Sequence, residues 1–151
     1  MVIRMTTPRS GEPQDPLVRL PGYLLRRASA ALLADLNERL APLKLRHADA
    51  AFLLLLQSTP GMSQSDAGRL LDIQRANMVP LVARLEKRGL IDRKRADGRS
   101  HALSLSAAGR ALARKVGGVV DEVEGALLER VPAALRPMVM PVLLALWGRG
   151  G

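Results

Sequence analysis

Residues 63–106 read SQSDAGRLLDIQRANMVPLVARLEKRGLIDRKRADGRSHALSLS, and this stretch decides the fold. Ser63 with Asp66 three residues on has the form of a capping box, opening a short helix whose inner face Leu70 and Leu71 close. Asp72-Ile73-Gln74 is a tight turn, and a further helix runs from about Arg75 to Arg88 with Met78, Leu81, Val82 and Leu85 on one face. Gly89 ends it. Two helices across a three-residue turn, the second carrying arginine and asparagine near its start, form a helix-turn-helix pattern. Many helical hairpins share that pattern and bind nothing. Next, Ile91 to Arg95 and Ser100 to Leu105 read as two short strands joined at Asp97-Gly98, with Leu103 and Leu105 alternating toward a core. Two readings of this hairpin stand: a solvated hairpin with ordinary surface charge, or a wing whose Arg93, Lys94, Arg95 and Arg99 reach phosphates and the minor groove.

Outward from this segment the chain is helical on both sides. Upstream, Leu24, Leu25, Ala28, Leu32, Leu36 and Leu40 recur at helical spacing from Pro21, and Pro42 stops the run. Ala48 to Gln57 is a second helix, apolar on nearly every side at Phe52 to Leu56, which places it at the centre of the fold. Pro60-Gly61 breaks the chain before Ser63. Downstream, Ser106 caps a long helix to about Arg130, with Gly117-Gly118 as a soft spot inside it. A last helical stretch from Pro132 to Trp147 is apolar nearly all round and needs a cover, for which a second copy of the chain is the economical candidate. The residues lead to a mainly α fold of six helices and a small β-hairpin, with residues 1–16 a loosely ordered, flexible tail.

Composition narrows the function. The chain has 151 residues, enough for one domain with a real core, and 48% of them are apolar. Its formal net charge is +9, and of 23 basic residues all but Lys44, Lys87, Lys94 and Lys115 are arginine, the side chain suited to forked contacts with phosphate and guanine. The charges are not grouped on one amphipathic helix, which argues against a membrane surface. No apolar run approaches the length of a membrane span, and the first residues lack the apolar core of a secretory signal. No cysteine is present, which removes disulfides and thiol redox switching, and the cytoplasm is the expected compartment.

The ordered series of short motifs resembles the MarR family of bacterial regulators. It comprises Gly22-Tyr23-Leu24-Leu25-Arg26-Arg27, Leu40-Ala41-Pro42-Leu43 and Pro60-Gly61-Met62-Ser63-Gln64, then Leu81 through Ile91, Asp97-Gly98-Arg99, and Leu103-Ser104-Leu105-Ser106-Ala107-Ala108-Gly109. The resemblance runs from about Gly22 to Val116. The architecture it implies is a winged helix-turn-helix whose first and last helices form a dimerisation platform, with 17–45 and 107–151 as the dimerisation region and 46–106 as the DNA-binding region, interwoven into one domain. The resemblance also implies a homodimer with one winged helix-turn-helix per subunit, binding a pseudo-palindromic DNA operator as a repressor. It further implies release by a small aromatic or anionic effector, through a shift between lobe spacings that do and do not match successive major grooves roughly 34 Å apart. By this resemblance Gln74, Arg75 and Asn77 meet base edges or nearby phosphates, and Arg84 the DNA backbone. Arg99 enters the minor groove with Asp97 holding it or a neighbour, and Ser63 and Gln64 sit at a helix start that can face a phosphate. Pro80 departs from the pattern, since an interior proline can cost about 3 kcal/mol and kink or delay the helix. Asp72 stands where many members have glycine, and Pro137 and Pro141 also depart, in the last helix.

Tyr23, Arg26, Arg27, Arg46, His47 and Phe52 fall on segments that line the family's effector cleft, where an arginine pair could neutralise a carboxylate or phosphate. Surface charge and core packing are the competing explanation for these residues. With only His47 and His101 as histidines, no metal site is expected, and no cofactor either. An enzyme is not expected: there is no paired-carboxylate cleft, no nucleophile–His–acid set and no Gly-rich phosphate loop. The alternatives left open are a constitutive or architectural DNA binder without an effector, and a winged helix used for protein contacts alone.

Overall fold

The computed structural model describes residues 15–95 and 101–148. Its centre is α2 (His47–Ser58), whose Ala50, Phe52, Leu53 and Leu56 are all buried because the helix is apolar on nearly every side. It packs against α1 (Pro21–Leu40) and the long α5 (Ala107–Glu129). Leu40, Ala113 and Val116 complete that half of the core. The step from α1 to α2 passes through a 3-10 turn and a left-handed residue, Lys44 (φ 54°). There Asp49 accepts the backbone N–H of Arg46 at 2.9 Å and so caps the start of α2.

The helix-turn-helix forms as expected from α3 (Gln64–Leu70) and α4 (Arg75–Lys87). Asp72 takes φ 52° at the turn, a conformation aspartate tolerates better than most residues. All four expected apolar residues of α4 are buried. The helix begins at Arg75 and runs continuously through Pro80, which sits on the solvent side. The inner face of α3 differs from the expectation. Leu70 is half-exposed, and the buried residues are Ala67 and Gly68. The reason is the closeness of the turn: a Cβ on Gly68 would lie 3.1 Å from the Ile73 carbonyl and 3.2 Å from Met78. Only small residues fit under that crossing.

Three strands form one antiparallel sheet, β1 (Met62–Ser63), β2 (Ile91–Arg95) and β3 (His101–Leu105), in the order β1-β3-β2. Ile91 pairs with Leu105 and Arg95 with His101, so Ile91, Leu103 and Leu105 face the core. The third strand, β1, was not expected: two residues are too few to show a period of two. The hairpin tip, including Asp97-Gly98 and Arg99, lies outside the described residues, as does the tail from residue 1 to 14. Asp15 and Pro16 are described, Asp15 capping a 3-10 turn over Pro16–Arg19.

The Leu-Ser-x-x-Gly segment has a physical account. Leu105 is core, and Ser106 caps α5 by accepting the Gly109 N–H at 2.9 Å while its hydroxyl donates to the Gly89 carbonyl at 2.6 Å. A Cβ on Gly109 would lie 2.0 Å from the Leu90 carbonyl oxygen, so only glycine permits this approach. Gly89 itself ends α4 at φ 67°.

Helix α5 runs unbroken through Gly117-Gly118. The chain then bends by 112° into α6 (Arg136–Trp147), through a 3-10 turn at Ala133–Leu135. Arg136 fixes the corner, donating to the Val131 carbonyl and to the Glu129 carboxylate. Pro137 falls in the first turn of α6 and Pro141 inside it. No residue of α6 is buried, although Met138, Met140, Val142, Leu143, Leu144 and Leu146 all lie on it. Among the described residues, no single helix is long and apolar enough to cross a membrane.

Candidate nucleic-acid interface and effector cleft

A groove of about 920 Å³ lies between α3, α4 and the sheet. Ser63, Gln64, Arg69, Arg75, Arg93 and His101 are among the residues lining it. Helix α3 enters from a cap at Ser63, whose hydroxyl accepts the Asp66 N–H at 3.1 Å and donates to the Asp66 carboxylate at 2.7 Å. The hydroxyl's bond to the carboxylate, then the contact with Arg69, hold the Asp66 carboxyl below its ordinary value. Gln74 is the N-cap of α4 with its side chain free of any capping bond, and Arg75 and Asn77 are exposed on the first turn.

Two of the arginines expected at DNA have partners within the protein. Arg84 pairs with Asp49, which is only 2% exposed, so a flank of α4 is tied to the start of α2. Arg93 on β2 makes a forked pair with Glu86 on α4, at 2.7 and 3.0 Å. These hydrogen bonds, against a smaller opposing effect of burial, hold the Glu86 carboxyl below its ordinary 4.5 and raise the Arg93 guanidinium. Of Arg95 only the backbone, at the end of β2, is described, and Asp97 and Arg99 lie outside the described residues.

The expected effector residues do not converge in one chain. Tyr23, Arg26 and Arg27 cluster at the start of α1: the Tyr23 hydroxyl donates to Asp15 at 2.5 Å, Arg27 donates to that hydroxyl at 3.3 Å, and both guanidiniums stand over the ring. Arg46 and His47 lie near the other end of α1, where His47 donates its backbone N–H to Asn37 at 2.8 Å. Fourteen residues of helix separate Tyr23 from Asn37, about 21 Å. Phe52 follows the competing explanation, core packing: it is wholly buried, together with Ala50, Leu53 and Leu56 of α2. A second cavity, about 560 Å³, opens where Arg46 and His47 stand, lined also by Asn37, Lys44, Asp49 and Arg84. The residues sequence reasoning missed here are Asn37, Lys44 and Arg88; Arg88 donates to the Leu43 and Lys44 carbonyls at 3.1 and 2.8 Å. No local pattern marks them, since each acts across forty residues or across the turn.

With the winged helix and its basic groove in place, the chain can be set beside known proteins. A model described as MarR family matches residues 43–100. The HTH-type transcriptional repressor Rv2887 of Mycobacterium tuberculosis is 32% identical over 114 residues, 74% of this chain and 82% of the relative. The chain belongs to the MarR family.

Solved MarR structures agree in fold. The transcriptional repressor CouR bound to a 23-mer DNA duplex superposes with a TM-score of 0.82 at 33% identity, over 89% of this chain and 98% of that one. CouR bound to p-coumaroyl-CoA gives 0.79 at 32% identity, over 89% and 96%. Rv2887 in complex with p-aminosalicylic acid gives 0.69 at 30% identity, over 83% and 97%. The family and these relatives are transcriptional regulators, not enzymes, and this chain is a DNA-binding transcriptional repressor of the same winged-helix fold.

Proposed function

We propose that this MarR repressor works as a homodimer on a pseudo-palindromic operator and is released from it by a small aromatic or anionic ligand. The observation that carries the ligand reading is the junction of α4 with the second cavity. Arg84 and Arg88 tie the recognition helix to Asp49 and to the Leu43 and Lys44 carbonyls, and Lys44, Arg46, His47 and Arg84 surround the space between. An anion seated there competes with Asp49 for Arg84, and any affinity difference between the two arrangements moves the recognition helix. The relatives solved with p-coumaroyl-CoA and p-aminosalicylic acid support ligands of this class.

The homodimer rests on uncovered apolar surface. The first turns of α1 (Leu24, Leu25), the preceding 3-10 turn (Leu17, Val18) and all of α6 expose large apolar side chains, at opposite ends of the sequence. A second copy of the chain covers them and sets the spacing of two recognition helices. In that reading Tyr23, Arg26 and Arg27 serve the dimer platform, or a cleft completed by the partner. For the DNA, Gln64, Gln74, Arg75, Asn77 and the wing arginines Arg93, Arg95 and Arg99 remain the proposed contacts, with Asp97 positioning the wing.

The test is an anisotropy titration on DNA flanking the chain's own gene, with unrelated duplex as competitor, repeated with salicylate, p-aminosalicylate and p-coumaroyl-CoA. Specific binding that weakens with one of these compounds, and keeps its affinity in Arg46→Gln plus His47→Gln protein, is the expected result. Specific binding indifferent to all anionic aromatics favours a constitutive DNA binder.

A further inference from the structure

Over its first three turns, the exposed side of the recognition helix carries almost no hydrogen-bonding groups. Met78, Leu81, Val82 and Leu85 define its inward side. At about 100° per residue, the opposite direction falls on Ala76, Pro80, Ala83 and, in the last turn, Lys87. All four are exposed, and Val79 beside them is 52% exposed. Before Lys87 the polar residues stand off this line: Arg75 and Asn77 on the flanks, and Arg84 turned to Asp49. A ridge of a methyl, an isopropyl, a pyrrolidine ring and a second methyl can neither donate nor accept. In the major groove the one apolar group that distinguishes bases is the C5 methyl of thymine. Arg75 and Lys87 on α4 and Arg69 across the groove, all exposed, supply the positive charge that brings a DNA duplex rather than a protein to it.

We propose that α4 reads its operator chiefly through thymine methyl groups, packed against Ala76, Val79, Pro80 and Ala83, with Arg75 and Lys87 holding the helix in register on the phosphates. The proline is then a specificity residue: its ring adds apolar surface where most side chains would offer a polar end. The inference rests on the repressor reading and adds the chemistry of its base readout.

Selection by the full chain from a pool of duplexes with a randomised centre, followed by replacement of thymine with deoxyuridine at each selected position, tests it. Thymine is expected at several positions under each helix, with affinity falling about three- to fivefold for each methyl removed. Val79→Ser and Ala83→Ser, both at exposed positions and checked for unchanged melting, should weaken binding to the thymine duplex but not to its deoxyuridine counterpart. Specific binding indifferent to deoxyuridine overturns the proposal. So does a sequence preference lost in Gln74→Ala or Asn77→Ala but intact in the two serine variants. If no sequence is enriched over unrelated duplex, the repressor reading itself fails, and the proposal falls with it.

Discussion

The guanidinium of Arg84, on the flank of the recognition helix, is bonded to the carboxylate of Asp49, buried at the first turn of the central helix. Asp49 also accepts the Arg46 N–H, so one carboxylate caps α2 and anchors α4. Helix α4 is thereby fastened to the hub of the core, beside the cavity lined by Lys44, Arg46 and His47.

Arg84→Ala leaves that buried carboxylate without its cation. The cost is expected at about 1–3 kcal/mol, toward the lower end because the arginine is half-exposed, read from urea unfolding. The slope of log affinity against log salt should hardly change in Arg84→Ala but should fall by about one in Arg75→Ala. Equal slope losses would return Arg84 to the phosphates.

The Glu86–Arg93 pair gives a pH signature. Because the folded carboxyl is held below its ordinary 4.5, its contribution to stability is present above that value and is lost as pH falls through the lower folded value. Wild type and Glu86→Gln should therefore differ at neutral pH, by less than about 1 kcal/mol for so exposed a pair, and converge in acid. Removing Glu86 also frees Arg93, so DNA binding at neutral pH should tighten with a steeper salt slope. A difference in stability that persists unchanged into acid would refute the ion-pair account.

Two glycines of α5 should respond oppositely to alanine. Gly109→Ala drives a methyl into the Leu90 carbonyl and is expected to cost about 3 kcal/mol or more. A Cβ at Gly118 meets nothing within 4 Å, and Gly118→Ala should stabilise the helix by roughly 0.5–1 kcal/mol. Thermal melts of the two variants, run side by side, decide it.

Charge on α6 tests the homodimer. Leu146 is 65% exposed in the single chain, so Leu146→Lys should fold as a protomer. Together with Met140→Lys it is expected to shift sedimentation from dimer to monomer and to weaken operator binding by at least about tenfold. A double variant that stays dimeric would place the interface elsewhere.

How much of this was legible beforehand depends on the range of each interaction. Ser63, Asp72, Gly89 and Ser106 announce their structures because a cap or a left-handed turn is decided within three or four residues. The inward face of α4 is legible for the same reason, as a period of 3.6. Leu70 misleads because hydrophobicity alone does not reveal that the crossing of α3 over Ile73 admits only Ala67 and Gly68. Arg84 and Arg93 read as free cations, since no helical or strand spacing shows that Asp49, thirty-five residues away, and Glu86, on α4 before the chain turns into β2, would take them. The effector residues scatter because helix length, invisible in a motif, separates Tyr23 from His47.

The sequence by itself determined the six helices, the hairpin, the basic character and the order of motifs that marks a winged-helix regulator. These follow from periodicity, turn chemistry and charge, which act along the chain. Only the tertiary structure decided which cations are already paired within the protein, where a cavity opens, and that the outward residues of α4 are left uncovered. Those properties depend on which groups meet across distance, because a charge or an apolar face has a function only once its neighbours have or have not claimed it.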